Sequence, residues 1–143
     1  MSTRIVVAVD GSDCAMRAVE WCARTAPALD AEVVAVHSVE EPVYPLPALA
    51  YVSVPPITPE ARDEIRQILE NEWCAPLAQA GVKYRPVMAD GPPASAIIRI
   101  AEEEQADLVV TGRRGRGGFA ELLLGSTSHQ LAHHVGRPLV IVP

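Results

Sequence analysis

Apolar, β-branched runs alternate with segments of helical periodicity from one end of this chain to the other, and that alternation leaves few architectures open. Arg4 to Val9 is one such run, closed by the turn-forming Asp10-Gly11-Ser12, after which Ala15, Ala18, Val19, Cys22 and Ala23 recur at the spacing of one helix face. Glu32 to Val39 reads as a second buried strand. A helix is predicted from Pro59, its apolar stripe traced by Ala61, Ile65, Ile68, Leu69 and Leu77, with Pro76 kinking or ending it. Strands are then predicted over Val82 to Met88, Asp107 to Thr111 and Leu139 to Val142, and helices over Pro93 to Gln105 and Ser126 to Val135. Five apolar strands separated by four helices imply parallel neighbours with right-handed crossovers, hence an α/β fold with helices on both faces of one open sheet.

Length sets the scale of that fold. At 143 residues, 49% of them hydrophobic, the chain suits one domain with a full core, here taken as residues 1–143. Pro, charge or polar residues interrupt every apolar stretch well before the length of a membrane span, and the N-terminus runs straight into a strand without a signal sequence. A cytoplasmic protein is expected. Cys14, Cys22 and Cys74 lie in predicted helices without zinc-ligand spacing, which reads as reduced and buried thiols. A net charge of −6 argues against general nucleic-acid binding. The stretch from Glu40 to Pro59, with prolines at 42, 45, 47, 55, 56 and 59, reads as an extended connection.

Chemistry concentrates after the fourth predicted strand. Gly112-Arg113-Arg114-Gly115 is followed by nine residues and then Gly125-Ser126, with Arg116, Gly117 and Gly118 between. Glycines at 112, 115, 117 and 118 allow positive φ and keep side chains out of the way, so that backbone N–H groups can converge on one anion. A helix opening at Ser126 adds unpaired N–H donors and the positive end of its dipole, while Ser126, Thr127 and Ser128 add hydroxyls. Arg113, Arg114 and Arg116 supply positive charge locally in an acidic chain. The plainer alternatives are solvated arginines, Ser126 as an N-cap, and Thr127 with Gln130 at the spacing of a capping box.

In an open α/β sheet, ligands sit beyond the carboxyl ends of the strands where strand order reverses. Were the first and fourth strands neighbours there, Asp10-Gly11-Ser12 and the loop from Gly112 would face one crevice. Elsewhere the signals are weaker. His129 and His133 share a helix face but lack a third ligand nearby, and read as surface or interface residues. Glu102-Glu103-Glu104 reads as solvated, and His134 and Arg137 as cations near a helix C-terminus. No nucleophile elbow or Walker-type P-loop is present.

These motifs together resemble the universal stress protein family, whose nucleotide-binding members carry Gly-x2-Gly-x9-Gly-Ser/Thr after the fourth strand. Gly112, Gly115, Gly125 and Ser126 match it without insertion. The resemblance extends to Asp10-Gly11-Ser12, His37, Gly91-Pro92 and the closing Arg137 to Val142, nearly the whole chain. It implies a flavodoxin-like, adenine-nucleotide α-hydrolase-like sheet of order 3-2-1-4-5 that binds ATP. On that resemblance Ala8, Val9 and Ser38 would line the adenine, and Asp10 would lie near the ribose or a phosphate-bound metal such as Mg²⁺. Gly112 to Gly118 would wrap the ribose and phosphates, and Ser126, Thr127 and Ser128 would bind the terminal phosphates. Ser38 departs from the aliphatic residue common in the family, and the triple arginine is denser than usual. The resemblance further implies a homodimer through Leu139 to Val142, an apolar strand expected at a sheet edge. A nucleotide-dependent stress-response or signalling module is the favoured function. Slow ATP hydrolysis or autophosphorylation at Ser126 or Thr127, and an interaction module without nucleotide, are the alternatives.

Overall fold

Three consecutive side chains of the first strand, Ile5, Val6 and Val7, are fully buried although they point to alternate sides, so this strand must be covered on both faces. In the computed structural model, which describes residues 2–40, 55–115 and 123–143, that strand is β1 (Thr3–Ala8) at the centre of a five-stranded sheet. It is followed by α1 (Asp13–Thr25), β2 (Ala31–Val39), α2 (Pro59–Ile68), α3 (Ala75–Gln79), β3 (Tyr84–Asp90) and α4 (Pro93–Glu103). β4 (Leu108–Gly112), α5 (Ser126–His134) and β5 (Leu139–Val142) complete the chain. Every strand pair is parallel and the order is β3-β2-β1-β4-β5, as the resemblance implied.

Alternation along the strands divides the core in two. Ile5, Val7, Val9, Val33 and Ala35 pack against α1 and the Leu69–Leu77 region, whereas Val6, Ala8, Val34 and Val36 pack against α4 and Leu131 of α5. The buried stripe of α1, made of Cys14, Ala15, Ala18, Val19, Cys22 and Ala23, is mostly small, which lets the helix lie close to the sheet. Ser12 starts α1 as its N-cap, accepting the Ala15 N–H at 3.3 Å.

Several boundaries differ from the sequence expectation for identifiable reasons. The helix from Pro59 ends its regular part at Ile68, before the proline, and widens into a π turn over Leu69–Trp73. Pro76 then sits in the first turn of α3, where its missing N–H is not needed. Burial in this region comes from Leu69, Cys74 and Leu77, while Ile68 of the expected stripe is exposed. β3 begins at Tyr84 rather than Val82, because the Val82 N–H closes the end of α3 on Leu77 O at 3.1 Å. Pro86 is tolerated in β3 because this strand is an edge and pairs only with β2.

Glu104 is also not a solvated acid. Its carboxylate lies 2.6 Å from Arg85 and 3.3 Å from Arg4, and Arg4 donates to its carbonyl at 2.9 Å. These contacts tie the end of α4 to the amino-terminal rim of the sheet. Residues 41–54 of the Pro-rich connection lie outside the described residues. No helix among the described residues is long and apolar enough to cross a membrane.

The three cysteines are buried free thiols. Burial pushes Cys22 up from 9.0 to about 12, and burial with the nearby Glu70 carboxylate pushes Cys74 up to about 11. A raised thiol pKa means that above pH 9 the unfolded chain loses protons that the folded one keeps. Stability should therefore be full below about pH 9 and fall as pH rises toward about 12, by up to roughly 1.4 kcal/mol per pH unit from Cys22. Urea midpoints across that range test this, and Cys22→Ala should flatten the slope.

Candidate functional site

Strand order reverses between β1 and β4, because β1 connects onward to β2 on one side while β4 and β5 extend the sheet on the other. Beyond the carboxyl ends of these two strands lies a cavity of about 400 Å³. That volume falls within the range of roughly 300–1,000 Å³ usual for small-molecule sites. Its walls come from the turn after β1, the end of β2, the start of α4, the loop after β4 and the first turn of α5.

The turn after β1 is built by a carboxylate. Asp10 Oδ1 accepts the Ser12 N–H at 2.9 Å, and Gly11 between them adopts φ 76°, a conformation open to glycine. The loop after β4 is then fitted to this turn by absent side chains. A Cβ on Gly112 would lie 2.6 Å from the Cys14 carbonyl carbon and 2.7 Å from the Ala15 nitrogen, both backbone atoms of α1. One on Gly115 would lie 2.6 Å from Asp10 Oδ2. One on Gly125 would come within 3.3 Å of Arg114 Cα and 3.4 Å of the Gly115 nitrogen. The three motif glycines therefore serve close approach, and positive φ is not adopted at 112 or 115; among the described residues the positive-φ glycines are Gly11, Gly81 and Gly91.

Hydrogen bonds close the loop onto α5. Arg113 donates its N–H to Val142 O at 2.7 Å, and its carbonyl accepts both the Gly125 N–H at 2.8 Å and the Ser128 hydroxyl at 2.8 Å. Ser128, only 2% exposed, also donates to Gly125 O at 3.1 Å, so its hydroxyl proton is engaged within the loop. Ser126 is not the cap of α5. Gly125 occupies that position with φ −69°, and no side chain caps the helix, so the Thr127–Gln130 capping box does not form. The N-terminus of α5 thus meets the cavity with a glycine at its N-cap position, which supplies no side-chain acceptor to the first-turn N–H groups.

Most sequence candidates meet in this one place. Ala8, Val9, Asp10, Ser38, Gly112, Arg114, Gly115, Gly125, Ser126, Thr127 and Ser128 all line the cavity. Arg113 does not: its backbone locks the loop, and its Nε is buried with no hydrogen-bond partner among the described residues. Arg116, Gly117 and Gly118 lie outside the described residues. Ser12 lines the cavity too, as expected of the turn facing the crevice, whereas the sequence reading missed Ala15, Val36, Glu40, Pro93, Ile97 and Thr111 as lining residues. Ile97 and Pro93 read simply as helix core and helix start, and only the topology brings the beginning of α4 to the crevice. His37, noted for its resemblance alone, also lines the cavity, with Nδ1 2.7 Å from Val9 O and its ring 5.0 Å from Trp73 in an edge-on arrangement. Ser38 donates its hydroxyl to Gly91 O at 2.6 Å, pinning the turn before α4.

Among the described residues no group of three or more His, Cys, Asp or Glu side chains could hold a metal ion. His129 and His133 pack ring against ring at 4.6 Å. Asp10 is the carboxylate placed where the loop and the α5 N-terminus converge.

The model of the universal stress protein family matches residues 1–143. The universal stress protein YxiE of Bacillus subtilis is 32% identical over 148 residues, covering 99% of each chain. A universal stress protein solved in complex with cAMP superposes with a TM-score of 0.73 at 27% identity, over 99% of this chain and 96% of that one. The universal stress protein of Archaeoglobus fulgidus in complex with dAMP, 22% identical over 99% of this chain and 98% of its own, shares the fold with a TM-score of 0.71.

The glycine contacts rank the motif positions. Gly112→Ala drives a methyl into main-chain atoms that cannot turn aside and should cost about 1–3 kcal/mol. Gly115→Ala meets only the end of the Asp10 side chain, and should cost less. Urea denaturation of the two variants tests the order.

Proposed function

Since this chain belongs to the universal stress protein family, we propose that its crevice binds an adenine nucleotide, ATP with Mg²⁺, and that occupancy is read out as a stress-response signal. The observation that carries this reading is the uncapped α5 N-terminus meeting the glycine-fitted loop at the strand-order reversal. Backbone N–H groups and the helix dipole there favour an anion, and Arg114 adds positive charge. The cAMP complex of a 27% identical relative supports an adenine nucleotide as the ligand class.

Within this reading Ala8, Val9 and Ser38 border the base. Gly112, Arg114 and Gly115, continuing into Arg116, Gly117 and Gly118, surround the ribose and phosphates. Ser126 and Thr127 bind the terminal phosphates, while Arg113 and Ser128 act through loop geometry. Asp10 suits Mg²⁺, which commonly combines a single carboxylate with phosphate oxygens and water. The metal would neutralise phosphate charge beside that carboxylate.

Signalling requires that nucleotide distinguish two states of the protein, and the loop after β4 is the element whose order bound phosphate would change. Residues 1–143 act in this proposal as one cytoplasmic domain. β5 lies at a sheet edge with Leu139, Val140, Ile141 and Val142 each partly exposed, which suits pairing with a second copy. Light scattering should give the mass of a homodimer, and a monomer at micromolar concentration would remove that part.

Calorimetric titration should show ATP binding that strengthens with Mg²⁺. Gly115→Val, which puts a branched side chain against Asp10 and the loop, should weaken it about tenfold or more. Asp10→Asn should lower the gain from Mg²⁺ more than the metal-free affinity. Undiminished binding by folded Gly115→Val would displace the ligand from this crevice.

A further inference from the structure

We propose that His129 and His133 of α5 are half of a zinc site, and that a second copy of this chain completes it with the same pair of imidazoles. The inference stands on the outward face of α5 and is independent of what the crevice binds.

Spacing brings the two rings together. Residues four apart on a helix lie one above the other, and a pair of histidines at that spacing on one helix face is a known way to hold zinc. Both fall within the regular part of α5, Ser126–His134. Ser128 and Leu131 are the buried positions of this helix, while His129 and His133 are exposed on its other side. Their ring centroids lie 4.6 Å apart, with the planes inclined by 62°. Among the described residues neither ring makes a hydrogen bond or an ion pair, so the ring nitrogens of both are open to a ligand.

The class of metal follows from the donors. Imidazole suits zinc and the late transition metals, whereas magnesium prefers oxygen and water. His133 stands in the last turn of α5, where the negative end of the helix dipole favours a cation. The net charge of the chain, −6, acts in the same direction.

What the pair lacks identifies the partner. Structural zinc takes four ligands in a tetrahedron, and among the described residues no His, Cys, Asp or Glu joins these two to make a group of three. A two-fold axis beside α5 repeats the pair, and two copies of one half-site then set four imidazoles around a single ion. A foreign partner would need a matching pair of its own, but a second copy supplies one by symmetry. The bridge uses residues of α5 and leaves the β5 edge untouched.

Light scattering in near-neutral buffer free of chelators, with and without zinc chloride, reads this bridge. Zinc should raise the mass at least roughly twofold over the zinc-free protein, with one ion bound per two chains, and EDTA should reverse the change. His129→Gln and His133→Gln, both at exposed positions, should each abolish the increase while leaving the circular dichroism spectrum unchanged. His134→Gln alters the adjacent histidine, 6.1 Å from His133 by ring centroid, and should retain the increase. Magnesium chloride should produce none. A mass that zinc leaves unchanged, including zinc bound at one ion per chain without association, overturns the proposal, as does an increase that survives the loss of His129 or His133.

Discussion

The backbone-to-backbone approach of β4 and α1 at Gly112 is the constraint on which the site depends. With hypothetical Cβ distances of 2.6 and 2.7 Å to main-chain atoms of Cys14 and Ala15, no side chain fits there without moving a helix. Gly112 is also the last residue of β4, paired in register with Val142 of β5. Widening this contact would move the loop it launches away from Asp10. Packing of the fold and assembly of the crevice are therefore one requirement at this residue.

The two rims of the sheet are divided in purpose. At the amino-terminal rim, charged groups satisfy one another: Arg4 and Arg85 hold Glu104, and Lys83 lies 3.3 Å from Glu32. Such partly exposed pairs contribute little stability individually, but they fix where α4 ends relative to β1 and β3. At the carboxyl-terminal rim, the polar groups that hold the loops are mostly main chain, as in the Arg113 carbonyl that gathers both Gly125 and Ser128. The N-terminus of α5 lies at this same rim, where Ser126 and Thr127 line the cavity.

How much of this could be read from the sequence depended on how local its cause was. The strands were legible because their β-branched runs are buried on both faces, and β5 begins and ends where its pattern says. The start of β3 was not, since Val82 is taken by the end of α3, a decision made by one hydrogen bond. The glycine spacing pointed to the stretch that lines the crevice, where the missing side chains serve close approach and positive φ is not used at 112 or 115. Its glycines permit contact with atoms more than a hundred residues earlier at Asp10, or nearly so at Cys14, and no local rule announces such a neighbour. Ile97 and Glu104 were obscured in the same way, each carrying a common local signature and a role assigned by residues distant in the chain.

His37 shows how a fold's own needs can prepare a site. In a parallel sheet the strand tips that border the crevice end in carbonyls, while the helices that follow direct N–H groups toward the same region. A buried strand-end carbonyl requires a donor. At Val9 that donor is His37 Nδ1, and the edge-on contact with Trp73 at 5.0 Å sets the ring plane. The same bond that satisfies the backbone fixes the tautomer, and so decides what the other ring nitrogen can offer. Ser38 repeats the logic on the opposite face of β2, satisfying Gly91 O at 2.6 Å.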